Sequence, residues 1–232
     1  MSRLGLSEAE VRKLATREDW LGRLQIELVM THLACADEPE HPLNDVQLRR
    51  FGELSAALPS APTSIGNSAA ALAAPDRCGD LARLGIALYG GNPFTGRENP
   101  MEPVVTLEGR IVQLRSVDAP TTVGYGATYV AEASARLAVV GVGYADGYPR
   151  CLGNVGVAAV AGKRVPVVGR VSMDLVCLDV SGVEAHALRA GDWVELVGPN
   201  VPLEEVAAAA GTIDYEILTR LGNRLERRYL ER

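Results

Sequence analysis

Apolar and polar positions follow two different rhythms along this chain, and the change falls near residue 100. In the first part, Val11, Leu14 and Leu21 recur at near-helical spacing. They follow Ser7-Glu-Ala-Glu10, in which a serine and a glutamate three positions apart have the pattern of a capping box. A helix is therefore predicted from Ser7 onward. Leu24-Gln-Ile-Glu-Leu-Val-Met30 reads as a strand that ends at Thr31-His32. A second amphipathic helix is predicted from about residue 44 to residue 58, stopped around Pro59. Thr63-Ser-Ile65 reads as a short strand, with Asn67 or Ser68 capping the helix after it, and residues 84–89 as another strand. Strands that alternate with helices imply a parallel sheet.

Asn92-Pro-Phe-Thr-Gly-Arg-Glu-Asn-Pro100 is dense in turn formers and marks a boundary. Beyond it, residues 104–107, 109–114, 135–140, 155–160, 164–168 and 192–197 read as strands, several of them separated by glycine-containing turns. This predicts a mostly antiparallel β domain, closed by short helices near 202–210 and 213–221. The fold class is thus α/β plus β, with domains expected at 1–100 and 101–232.

Composition narrows the function classes. Nearly half of the 232 residues are apolar, ample for a core, and the net charge of −6 with no basic run argues against a nucleic-acid partner. The 21 arginines against two lysines, Lys13 and Lys163, fit GC-rich codon usage. Cys35, Cys78, Cys151 and Cys177 are scattered with no C-x-x-C pair, so neither a metal site nor a disulfide framework is expected, and a reducing cytoplasm fits. No apolar run reaches the ~18 residues of a membrane span, and the polar start lacks a signal-peptide core.

Two segments carry the candidate chemistry. Val142-Gly-Tyr-Ala-Asp-Gly-Tyr-Pro-Arg150 puts Tyr144 where small apolar residues run into an Asp-Gly turn, and a phenol at a strand end can move a proton. Arg83-Leu-Gly-Ile-Ala-Leu-Tyr-Gly90 sets an arginine beside the bare backbone of Gly85, a place for a charged ring or a phosphate. In a parallel barrel, reactive groups gather at the C-terminal strand ends, and His32, Asn67-Ser68 and Arg83-Gly85 fall near such ends. Taken singly, these residues have plainer readings. His32 suits a satisfied core histidine, Ser68 an N-cap, Met173 a core methionine, Tyr215 a half-buried tyrosine and Arg83 a surface ion pair.

Together the two segments resemble alanine racemase, a pyridoxal-phosphate enzyme of the fold-type III group. Ser2-Arg-Leu-Gly-Leu6, Met30-Thr-His-Leu-Ala-Cys-Ala-Asp-Glu38, Asn67-Ser-Ala-Ala70, Val123-Gly-Tyr-Gly-Ala-Thr-Tyr129, Gly169-Arg-Val-Ser-Met-Asp174 and Thr212-Ile-Asp-Tyr-Glu-Ile217 agree with it in the same order. The resemblance implies the second half of a (β/α)8 TIM-type barrel followed by a β-barrel-like C-terminal domain. It implies racemisation of L- and D-alanine by two bases, for D-alanine biosynthesis and peptidoglycan precursors. Arg83 matches the arginine that donates to the pyridine nitrogen of the cofactor. Ser68, Gly85, Ile86 and Tyr215 match its phosphate contacts. Tyr144 matches one catalytic base, tuned by His32 with Arg83 behind it. Met173 matches the residue whose N–H meets the substrate carboxylate, and Arg3 an arginine on the cofactor and substrate side.

Tyr144 and Met173 would serve the partner subunit's site in a head-to-tail homodimer. The chain departs from the family at Leu84, usually proline, and at Ser172, often cysteine. The resemblance starts inside the family's sequence, and neither Lys13 nor Lys163 falls in its Schiff-base lysine motif, so this chain alone is expected to be inactive. A racemase of broader specificity, a related decarboxylase, and a non-catalytic dimerisation or binding remnant are the alternatives.

Overall fold

The structure, a computed structural model, describes residues 1–230. The chain divides into two compact units, Met1–Leu88 with Asn92–Met101, and Tyr89–Gly91 with the chain from Glu102 onward.

The first unit opens with α1 (Glu8–Ala15), and its capping box forms as expected. The Glu10 N–H donates to Ser7 Oγ, and Glu10 Oε2 accepts from the Ser7 N–H at 2.7 Å. A single turn, α2 (Glu18–Leu21), follows. The predicted strand over 24–30 condenses to β1 (Val29–Met30). Next come α3 (Leu43–Ser55), β2 (Thr63–Ser64) and α4 (Ser68–Ala73). Between the two candidate caps of α4 the structure selects Asn67, whose Oδ1 accepts from the Ala70 N–H at 3.0 Å. β1 and β2 pair in parallel, Val29 with Thr63 and Met30 with Ser64. Leu33, Ala36, Ala69, Ala70 and Cys78 form a small core of this unit, with Leu48, Ile65 and Phe94 packed against it.

Residues 84–89 are not a strand. Ile86–Tyr89 is a 3-10 helix, with the Leu88 N–H donating to Gly85 O at 3.0 Å. The apolar run that reads as a strand is instead turned back on itself by the bonds described in the next section.

The second unit is a barrel-like antiparallel sheet. Its strands are β3 (Leu107–Val117), β6 (Ala135–Val140), β7 (Val157–Val160), β8 (Lys163–Pro166), β9 (Val176–Asp179) and β10 (Trp193–Val197), with a separate hairpin of β4 (Thr121–Val123) and β5 (Tyr129–Ala131). The order is β8-β7-β10-β3-β6-β9. The two end strands approach each other: Val167 bridges Leu178, and the Val168 N–H donates to Cys177 O at 2.9 Å. That contact curls the sheet toward closure and leaves less open edge than a flat sheet would expose.

Alternation along β3 buries Leu107 and Ile111 inward while Glu108 and Arg110 face out. Val140, Val176, Leu178, Val194 and Leu196 complete the interior. α5 (Leu203–Ala209) and α6 (Asp214–Arg220) follow the last strand, placing Val206, Ala207 and Ile217 in the same core. Of the strand expected at 104–107 only Leu107 is in a strand, as the start of β3, the one expected at 155–160 forms over Val157–Val160, and β9 and the β4–β5 hairpin have no counterpart among the expected elements.

Candidate active site

In the first unit, Arg83 is held by neutral partners. Its Nη1 donates to Ser64 Oγ at 2.5 Å, and its Nη2 donates to Thr31 O at 2.8 Å. Ser64 is fully buried and passes its own proton to Leu81 O at 2.6 Å, so the hydroxyl is aligned to accept. The Arg83 N–H donates to Gly66 O at 2.8 Å, which fixes the backbone beneath the side chain. No ion pair involves Arg83 among the described residues. A guanidinium stays protonated throughout the accessible pH range, so its positive charge is oriented here without being cancelled.

His32 meets that charge. Arg83 Nη2 lies 3.0 Å from His32 Nδ1. A guanidinium can only donate, so Nδ1 accepts and the ring proton sits on Nε2. Burial, then the charges of Arg83 and Arg3, hold the imidazole below its ordinary value of 6.5. His32 is therefore neutral at pH 7, with an N–H to offer from its far side. Arg3 itself is exposed, and the structure ties it to this group by its charge alone.

The lowered value has a testable sign. Between 6.5 and the lower folded value, the unfolded chain holds a proton that folded His32 does not, so stability is full above 6.5 and falls as pH drops through that window. A His32→Gln variant is expected to lose less stability than the parent between pH 7.5 and 5, read as urea midpoints. Equal losses would refute the neutral-histidine assignment.

Ser68 and Gly85 come together in the same unit. Ser68 Oγ accepts from the Gly85 N–H at 2.9 Å and from the Ala87 N–H at 3.4 Å. Both lone pairs are then used, and the O–H remains to be given to an acceptor. Gly85 needs no glycine for its own sake. Its φ is ordinary, and a Cβ built there meets nothing within 4 Å. The open space beside its backbone is the kind a phosphate or ring can occupy. Ile86 is buried at the start of the 3-10 turn, directly after this bare position. A donor hydroxyl, an uncluttered glycine and an uncancelled guanidinium fit a phosphorylated ring that offers a hydrogen-bond acceptor.

In the second unit, Tyr144 and Met173 sit on two turns laid side by side. The Tyr144 N–H donates to Ser172 O and the Ala145 N–H to Met173 O, both at 3.0 Å. Asp146, which is buried, accepts the Gly143 N–H on Oδ2 at 2.9 Å and shapes the tyrosine's turn. The second turn is closed by the Ser172 N–H and Oγ, which both donate to Leu175 O at 2.9 Å. The Met173 N–H makes no internal bond among the described residues and is available to an outside carboxylate. Tyr144 is 42% exposed as a residue. Tyr215 stands in the first turn of α6, half-exposed.

Sequence reasoning missed Ser64 and Thr31 as supports of Arg83, and Arg224 near the Tyr144 turn. Ser64 left one trace, a polar residue at a strand position that turned out to be buried. The described residues contain no group of three metal-ligating side chains suited to a metal ion, and no helix long and apolar enough to cross a membrane.

Comparison with known proteins places the chain in a family. The family described as alanine racemase, C-terminal domain, matches residues 104–229, and alanine racemase, N-terminal domain, matches residues 1–93. An alanine racemase of Rhodospirillum rubrum is 50% identical over 229 residues, covering 99% of this chain and 61% of the relative. A catabolic alanine racemase of Agrobacterium fabrum is 45% identical over 231 residues, covering 100% and 60%. A crystal structure of alanine racemase from Bartonella henselae with covalently bound pyridoxal phosphate superposes with a TM-score of 0.92 at 39% identity, covering 99% of this chain and 64% of that one. The chain thus spans about three fifths of the length of the curated relatives it matches.

Proposed function

This chain belongs to the alanine racemase family, and on that premise we propose that its residues serve the pyridoxal-phosphate-dependent interconversion of L- and D-alanine. The observation that carries the reading is the Arg83 guanidinium, oriented by Ser64, Thr31 and His32 with its charge left over. Arg83 would hold the ring nitrogen of pyridoxal phosphate. Ser68, Gly85, Ile86 and Tyr215 would hold the phosphate, and the Met173 N–H the alanine carboxylate. When bound, the cofactor draws electron density from the α-carbon so that its hydrogen can leave as a proton. Arg83 donates a hydrogen bond without releasing its proton, which keeps that withdrawal mild and favours return of a proton over side reactions.

Tyr144 takes or gives the α-proton on one face. A free phenol titrates near 10, so it needs a neighbouring donor or cation to act near pH 7. Neutral His32, offering Nε2–H with Arg83 behind it, suits that task when contributed by the partner subunit. The base for the other face is a lysine in the family. Lys13 is exposed on α1, and Lys163 donates to Gly182 O at 2.8 Å. We therefore assign the described residues to the arginine and phenol parts of the machinery and expect no turnover from the 232-residue chain by itself.

In the same reading, residues 1–100 form the second half of a (β/α)8 barrel and 101–232 the β domain. A homodimer shares its two sites, and the protein works in the cytoplasm, where its four free cysteines stay reduced.

Titration of the 232-residue chain with pyridoxal phosphate, followed by absorbance, tests this. Weak binding with a free-aldehyde spectrum is expected, with no borohydride-trapped imine at Lys13 or Lys163. Arg83→Leu and Ser68→Ala are each expected to weaken binding about tenfold, roughly the loss of one charge-assisted hydrogen bond. Unchanged affinity in both variants would remove the basis of the assignment.

A further inference from the structure

The segment that follows α6 has no part in the mechanism above, yet it touches both turns that carry the second unit's functional groups. Arg224 Nε lies 3.3 Å from Asp146 Oδ1, and Arg224 Nη2 donates to Asp174 Oδ1 at 2.6 Å. Asp146 belongs to the Tyr144 turn, and Asp174 follows Met173. The backbone closes in beside them. The Gly222 N–H donates to Asp146 O at 3.1 Å, and a Cβ on Gly147 would lie 2.3 Å from Arg220 O. One planar guanidinium therefore spans two carboxylates, one in each turn. A lysine ammonium, a single point of charge, cannot reproduce that fork.

We propose that Arg224 is a positioning residue for racemisation: it locks the turn bearing the Tyr144 phenol to the turn bearing the Met173 N–H, and neutralises Asp174 beside the place where the amino-acid carboxylate is received. The proposal rests on the roles given to Tyr144 and Met173 above. Two separate effects follow from it. Loss of the fork loosens the two turns, which lowers kcat. Loss of the charge leaves Asp174 to repel an incoming carboxylate, which raises KM.

Amide hydrogen exchange on the 232-residue chain reads the first effect directly. In R224Q the Tyr144, Ala145 and Gly222 amides are expected to exchange at least tenfold faster, with the amides of β6 unchanged. A general loss of stability would instead speed both groups together and would overturn the proposal, as would unchanged exchange at Tyr144 and Ala145. R224K, which keeps the charge but not the fork, is expected to show the faster exchange as well and serves if R224Q folds poorly.

The second effect is read in an enzyme completed with the lysine-bearing segment of a relative. R224Q is expected to raise KM for alanine about tenfold and to lower kcat. Adding D174N should restore KM and leave kcat low, while R224K keeps KM near that of the parent. A double variant that recovers neither constant would overturn the neutralising role. Failure of the underlying site assignment has a different signature, full racemase activity in Y144F.

Discussion

Exchange of Tyr144 for phenylalanine, in an enzyme completed with the lysine-bearing segment of a relative, is expected under the proposed function to lower kcat in both directions by about 10²- to 10⁴-fold, the usual contribution of a positioned general acid or base. The substitution removes one oxygen from a residue that is 42% exposed, so the fold should be indifferent to it. The two turns are joined through backbone bonds from Tyr144 and Ala145, which the substitution leaves in place. A two-base reaction adds a sharper signature. If two bases act as proposed, a lysine on the opposite face would still remove and return a proton with the phenol gone, so one alanine enantiomer should keep exchanging its α-hydrogen with deuterated solvent while the other stops. Loss of exchange in both enantiomers would point to collapse of the site. Retention in both, with normal kcat, would show that another group does this work. Tyr148 is a poor substitute, being buried with its titration pushed far upward by desolvation.

Gly143→Ala is the substitution expected to cost most in stability. A Cβ at that position would stand 2.4 Å from both Ser172 O and Met173 O and 2.5 Å from Met173 C. All three are backbone atoms, which cannot swing aside as a side chain can. Relief requires the two turns to part, at the expense of the bonds from Tyr144 and Ala145. The hydrogen bond from the Gly143 N–H to buried Asp146 would be strained with them. Together these place the loss at about 3 kcal/mol, the upper end for overpacking of a tight site. Urea unfolding of the second unit should show it as a lowered midpoint. A loss under about 1 kcal/mol would mean that the turns move apart freely, and the rigid alignment of phenol and N–H would be wrong.

The elements that sequence reveals here are those whose stability is local. Ser7 and Glu10 cap each other across three residues, so α1 can be read from four letters. The inward alternation of Leu107 and Ile111 likewise marks β3 without any partner in view. The 84–89 segment misleads because its apolar run satisfies a strand pattern, whereas its backbone is turned by a hydroxyl 17 positions away, Ser68 Oγ bonded to the Gly85 N–H. Among the site residues, Tyr144 and Arg83 stand out through the motifs around them. Ser64 and Arg224 do not. A serine in a short strand carries no local sign that it will receive a guanidinium 19 residues later in the chain. An arginine among the charges of the C-terminal segment reads as solvated surface until Asp174, 50 positions earlier, is seen beside it.

The order of strands in the second unit has a consequence for biosynthesis. Its earliest strand, β3, lies at the centre and pairs with its latest, β10, joining Leu107 to Val197 across about 90 residues of chain. Pairings so distant in sequence form slowly, because a long loop must be closed before any contact rewards it. During translation, β3 emerges with one flank bare and stays so until β10 has left the ribosome. A nascent chain stalled before β10 has cleared the ribosome should therefore remain sensitive to protease along β3, and one stalled after β10 has emerged should be resistant.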